Sequence, residues 1–247
     1  MRGPPCRHER IHTGGGIEPQ VAQRWPRELD GRGRARQLES ARRGNDGSVS
    51  TRTPFRVTVL VYPGIDELDL FGVHSVLAKA TPRLEVRIAS QLAEVRSSGG
   101  VTFTVPHRLD EVRRAHALVV PGGRGARDAS ADGELVEAVR DAARGAALLY
   151  AVCTGVLVIA AAGLARGRRV AIHRGKTDLL HGYEVGAVAA GLIRDGPLRT
   201  VGGIRRESVK AVDLAFSVLQ DFVPDLVEPI ADRIETDPGD GRGDPRR

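Results

Sequence analysis

The chain has 247 residues, 41% hydrophobic and 28% charged, which suits one core of ordinary domain size with additional chain beside it. Its formal charge of +6 is unevenly placed: residues 1–54 carry 11 Arg against 6 Asp and Glu, and the remainder is close to neutral. A basic surplus confined to one end argues against a nucleic-acid-binding face on the folded part, and the basic residues are nearly all Arg, with only Lys79, Lys176 and Lys210 as lysines.

Residues 1–53 are rich in Arg, Gly, Pro and Ser without an apolar period, and are expected to form a disordered basic leader. Within them His8 and His12 have the H-x3-H spacing of a zinc finger, but Cys6 alone precedes them where a cysteine pair is needed, so no metal site is expected. A β/α rhythm then begins. R-V-T-V-L-V-Y (Arg56–Tyr62) reads as a buried strand ending at Pro63-Gly64, and Leu70, Val73, His74 and Leu77 recur at helical spacing. L-E-V-R-I-A-S (Leu84–Ser90) alternates as a second strand, followed by a hairpin through Ser97–Gly100 into V-T-F-T-V. A-L-V-V-P-G-G (Ala117–Gly123) gives a strand and turn, and Leu135, Val136, Val139, Ala142 and Ala143 mark a helix face.

The stretch Ala147–Ala165 is uncharged and about as long as the ~20 apolar residues that cross a bilayer. The surrounding alternation divides it differently: A-L-L-Y-A-V is the next strand, Cys153-Thr154-Gly155 a turn, and V-L-V-I-A-A-A-G-L-A the next helix. R-R-V-A-I-H (Arg168–His173) is expected as a further strand, and Val209, Val212, Phe216, Leu219 and Phe222 as a last helix stopping before Pro224. Such alternation predicts a mostly parallel sheet with helices on both faces over residues 54–230, with 231–247 as a polar tail; the R-G-D at Arg242–Asp244 falls in that tail. With two cysteines in unlike contexts and no secretory leader pattern, a cytoplasmic setting and a free Cys153 thiol are expected.

A cysteine at a strand-to-helix turn sits beside free backbone N–H groups and a helix start, both of which favour thiolate. Pro121–Gly125 lacks the spacings of a phosphate-binding loop, and no cofactor is expected. His74, between Leu70 and Leu77, reads as core or pocket wall.

Y-P-G-I-D-E-L-D-L-F-G (Tyr62–Gly72), V-V-P-G-G (Val119–Gly123), A-V-C-T-G (Ala151–Gly155), A-A-G-L-A-R-G-R-R-V-A-I-H (Ala161–His173) and the R-D-G…T-V-G-G that follows resemble the ThiJ/PfpI family, in family order across residues 56–222. The resemblance implies a flavodoxin-like three-layer α/β sandwich, usually a homodimer, with Cys153 at a nucleophile elbow. It places the acid that bonds the cysteine sulfur at Asp69, the oxyanion contacts at the backbone N–H groups of Gly123 and Thr154, and a histidine near the cysteine at His173. Cys-Thr-Gly with an upstream Asp is similar to isonitrile hydratases, which add water to an isocyanide to give a formamide; glyoxalase- and peptidase-type members more often carry Cys-His and Glu. Arg174 and Val73 depart from residues common in the family, and R-R-E-S-V-K after Ile204 departs from the hydratase-like pattern. The resemblance thus implies a cysteine enzyme acting on a small molecule, without cofactor or metal and with no nucleic-acid or membrane partner. A glyoxalase-like or stress-response hydrolase and a non-catalytic ligand sensor are the alternatives.

Overall fold

The computed structural model describes residues 53–146, 148–203 and 209–238. Apart from its last residue, the leader expected over 1–53 lies outside these residues, as do the zinc-finger-like histidines and the R-G-D tripeptide.

The first strand, β1 (Phe55–Leu60), is followed by α1 (Glu67–Ala78), β2 (Leu84–Ser90), the short strands β3 (Glu94–Arg96), β4 (Thr102–Thr104) and β5 (His107–Arg108), and β6 (Ala117–Val120). Next come α2 (Ala126–Ala131), α3 (Gly133–Gly145), β7 (Leu148–Val152) and α4 (Val156–Ala161). The chain continues with β8 (Arg169–Val170), β9 (Ala187–Val188), β10 (Gly191–Asp195), β11 (Leu198–Gly202), α5 (Lys210–Phe222) and α6 (Val227–Arg233). Seven strands form the central sheet in the order β10-β11-β7-β6-β1-β2-β5, parallel throughout except where β10 meets β11.

The three middle strands carry apolar side chains on both faces, so they must be covered twice. β6 and β7 are buried along their whole length, and β1 over its last four residues. α1 and α5 pack together as one covering layer, while α2, α3 and α4 pack as the other. The fold is therefore the mostly parallel α/β sandwich that the alternation predicts. The uncharged stretch after Arg144 is a buried strand and a short helix in series, and among the described residues no helix is long and apolar enough to cross a membrane.

The hairpin expected around Ser97–Gly100 is present as the antiparallel pair β3–β4. R-R-V-A-I-H differs from expectation: its strand is only Arg169–Val170, paired with β9 outside the central sheet. The buried Thr200 hydroxyl accepts the Ala171 N–H at 2.7 Å, which holds this segment against β11 as it runs into the 3-10 turn Arg174–Leu180. The place beside β7 is taken by β11, whose leading hairpin partner β10 has little of the apolar alternation that marks a strand. α4 stops at Ala161, before the expected end at Ala165, because the chain turns at Gly163 with φ 78°. The expected tail boundary at residue 230 falls inside α6.

Candidate active site

β7 delivers its last residue, Val152, to the end of the sheet, and the chain reverses at once into α4. Cys153 occupies that reversal with φ 80°, a left-handed conformation that costs a non-glycine residue about 1–3 kcal/mol and clusters at functional sites. Gly155 makes the sharp turn possible, since a Cβ there would lie 2.1 Å from the Val120 carbonyl oxygen and 2.6 Å from that of Pro121. The thiol is 8% exposed at the base of a cavity of about 810 Å³.

Three loops converge on it. Asp66 caps α1 by accepting the Asp69 N–H at 3.1 Å, which fixes the first turn so that the Asp69 carboxylate faces inward. Asp69 is 5% exposed and accepts the Gly122 N–H at 3.2 Å. The loop after β6 is held by backbone bonds, Asp66 N–H to Gly122 O and Gly125 N–H to Gly64 O, and by the buried Tyr62 hydroxyl, which donates to Pro121 O. A side chain on Gly122 would collide with the Asp69 carboxylate.

The third contribution comes from α5. Gly72 on α1 lets Ala211 approach so closely that a Cβ on the glycine would be 2.9 Å from that of Ala211, and this contact brings the start of α5 to the elbow. Lys210, its first residue, donates to Cys153 Sγ at 3.5 Å.

Electrostatics divide these groups. Burial, followed by repulsion from Asp66, pushes Asp69 up to about 6, against the opposing pull of Lys210 and the Gly122 N–H. Burial and then Asp69 push the Cys153 thiol upward, while Lys210 and the Thr154 N–H hold it down in part. The net direction is opposite to that expected from a helix start. The turn at Cys153–Gly155 is 3-10 and α4 has only six residues, so the helix supplies little field and desolvation prevails. The resting site at neutral pH is thus a thiol held between a carboxyl group that titrates just below neutrality and an ammonium group.

The structure brings Cys153, Asp69, Gly123, Thr154 and His173 to the same cavity. The Gly123 N–H, an expected oxyanion contact, donates instead to Thr154 Oγ1 at 3.0 Å, and that hydroxyl donates back to Gly123 O at 3.0 Å. His173 lies at the rim, exposed, with Nδ1 accepting the Gly175 N–H at 3.1 Å. Burial and the nearby cations Lys210, Arg174 and Lys176 push its pKa down, so the ring is neutral with its proton on Nε2. His74 is half-buried on α1, away from the cavity. A larger cavity of about 970 Å³ opens near Tyr62, Asp128 and Asp132, but among the described residues no cysteine, serine, threonine or lysine lines it, whereas the smaller one holds the elbow cysteine. Among the described residues no group of three or more His, Cys, Asp or Glu side chains could hold a metal ion.

Lys210 is the residue that sequence reasoning missed. Its one signal was rarity: it is one of three lysines in a chain with 37 basic residues.

The sequence profile of the DJ-1/PfpI family matches residues 55–208. The chain belongs to the DJ-1/PfpI family. It is 32% identical to an isonitrile hydratase from Pseudomonas putida over 169 residues, which cover 68% of this chain and 72% of that protein. Among solved structures, a ThiJ/PfpI family protein from Pseudomonas syringae superposes with a TM-score of 0.68 at 25% identity, covering 76% of this chain and 77% of that one. Drosophila melanogaster DJ-1beta superposes with a TM-score of 0.66 at 21% identity, covering 75% and 100%, which is a likeness of fold. The elbow cysteine, the inward Asp69 and the Gly-rich loop after β6 all lie within the matched region.

Proposed function

We propose that this DJ-1/PfpI-family chain is a cysteine-dependent hydratase that converts a small isocyanide to an N-substituted formamide, acting in the cytoplasm as a homodimer. The observation that carries the reading is that buried Asp69 and Cys153 line one cavity, with Lys210 on the sulfur. The relative named isonitrile hydratase lends it support.

The chemistry asks for a soft nucleophile and one mobile proton. The Asp69 carboxylate takes the thiol proton of Cys153, and Sγ attacks the terminal isocyanide carbon, forming the C–S bond and placing an electron pair on that carbon. A proton from the Asp69 carboxyl, near its midpoint at about 6, quenches the pair and leaves a thioimidate. Water then adds to the C=N carbon, its proton passing through Asp69 to the nitrogen; the hydroxyl of this tetrahedral adduct gives its proton to Asp69 as the C–S bond breaks to leave the formamide, and Asp69 then returns that proton to the sulfur. The thiolate leaves toward Lys210, which offsets its charge. One water is consumed in the whole cycle and no electrons are exchanged.

The test is formamide production from a panel of aliphatic and aromatic isocyanides, with methylglyoxal run beside them. Wild type should turn over isocyanide and Cys153→Ala should not. Turnover of methylglyoxal alone would assign the chain to a glyoxalase-like activity, and activity surviving in Cys153→Ala would remove the covalent mechanism.

A further inference from the structure

The cavity above Cys153 carries a charge imbalance that hydration of a neutral isocyanide does not use. Its carboxylates are satisfied within the protein: Glu67 accepts from Ser97 Oγ at 2.5 Å and from the Gly99 N–H at 2.8 Å, Asp66 caps α1, and Asp69 accepts the Gly122 N–H. Its rim cations are not. Lys176, Arg124 and Arg127 line the same cavity and form no ion pair with any described carboxylate. Lys176 and Lys210 are also two of only three lysines in a chain that otherwise uses Arg, and both face this cavity. His173 at the same rim has its pKa lowered first by burial and then by Lys210, Arg174 and Lys176.

A volume of about 810 Å³ is more than a simple isocyanide fills, leaving room for a second functional group between the sulfur and the rim. We infer that the pocket is shaped for an electrophile bearing a carboxylate, which Lys176, Arg124 and Arg127 hold at the rim while its reactive carbon lies against Cys153 Sγ. This names the substrate class and rests on Cys153 being the nucleophile of the proposed reaction. The rim cations bind the anion, Lys210 remains with the sulfur, and the uncharged end of the substrate meets the Asp69 side of the cavity.

A pair of alkylating reagents that differ only in charge tests the pocket without requiring turnover. Iodoacetate and iodoacetamide are reacted with the full chain, and Cys153 modification is followed by peptide mass mapping. The ratio of the iodoacetate rate to the iodoacetamide rate in the folded protein should exceed that in the urea-unfolded chain by roughly tenfold, and fall roughly twofold with each of Lys176→Gln, Arg124→Gln and Arg127→Gln, as screened rim charges should. It should also collapse in 1 M salt, where the screening length is about 3 Å. Equal ratios in folded and unfolded chain, or ratios indifferent to all three substitutions, would overturn the inference, as would a Cys153 that neither reagent reaches before denaturant is added. Isocyanoacetate and its methyl ester are then compared as substrates. A high alkylation ratio with no turnover of either compound keeps the anion pocket and removes the hydratase. Preferred turnover of the ester with an unremarkable alkylation ratio keeps the hydratase and removes the anion pocket.

Discussion

Replacing Lys210 with Met removes one charge from the cysteine while keeping an unbranched side chain one atom shorter, so its effect can be worked out from the contact itself. At 3.5 Å an ammonium and a thiolate attract by about 4.7 kcal/mol at an effective dielectric near 20. Lys210 is partly exposed, and both ions lose hydration on meeting, so the net contribution falls to about 1.5 kcal/mol, the low end for a hydrogen bond to a charged group. Losing it reduces the thiolate population at neutral pH about twelvefold. The thiolate that remains is more basic and therefore a better nucleophile; with a Brønsted exponent of about 0.4–0.5 it recovers roughly threefold of that loss. Lys210→Met should thus react with iodoacetamide about fourfold more slowly than wild type at pH 7, and the whole pH–rate profile should move to higher pH. The neutral reagent is chosen because it does not respond to the rim cations. In denaturing urea the two rates should converge, since the contact is then gone. A Lys210→Met protein with native circular dichroism and an unchanged rate at pH 7 would refute the assignment of Lys210 to the sulfur.

Asp69→Asn should separate proton transfer from thiolate formation: turnover should fall by roughly 10²-fold or more, while iodoacetamide labelling stays level or quickens, because the carboxylate that pushes the thiol upward is gone. The same variant tests stability against pH. Asp69 titrates near 6 in the fold against an ordinary value near 3.8, so its contribution is fully present below pH 3.8 and is lost as pH rises through about 6, by about 3 kcal/mol in all. Asn does not titrate, so the variant should melt about 5 °C or more above wild type at pH 7.5 and lose that part of the pH dependence; parallel melting curves across pH 4–7 would contradict the buried carboxyl. Gly155→Ala should lower stability by more than about 2 kcal/mol in chemical denaturation, since its methyl group would overlap the Val120 carbonyl and the elbow backbone would have to shift. Asp221→Ala strands the buried Tyr150 hydroxyl, which bonds to it at 2.8 Å, and removes the carboxylate that pairs with Arg199 at 3.2 Å; it should cost about 3 kcal/mol without altering Cys153 labelling.

What could be read from the sequence follows from how far each cause lies along the chain. β1, β6 and β7 are apolar runs bounded by glycine turns, and their burial on both faces leaves that pattern no other use. Cys153 was legible from its strand-to-helix turn, and Asp69 from the resemblance of Tyr62–Gly72 to the family; the structure brings both to one cavity. β10 and β11 were not, because the antiparallel pair is partly exposed and its residues, G-L-I-R-D and L-R-T-V-G, carry no sustained alternation; the register comes from β7 alongside. Arg169–His173 misled for the complementary reason. Its apolar residues are buried, but by packing against β11 from outside the central sheet.

The site shows the same limit more sharply, because its charge balance is set by groups distant in sequence. Motif logic gives the cysteine a helix start and a nearby acid and stops at a favoured thiolate. The folded environment adds desolvation, which acts against both ionised carboxylate and thiolate, and a lysine 57 positions away that acts for them. Neither can be seen in A-V-C-T-G or in E-L-D-L. Lys210 reaches the sulfur because Gly72 and Ala211 let α5 lie close on α1, so the polarity of the nucleophile depends on a contact between two small apolar residues. A bulkier residue at position 72 should push α5 off α1 and draw the ammonium away from the sulfur without any change in the elbow sequence. Thiolate formation at this elbow is therefore a property of how two helices pack, and it can differ between family members whose elbow residues are identical.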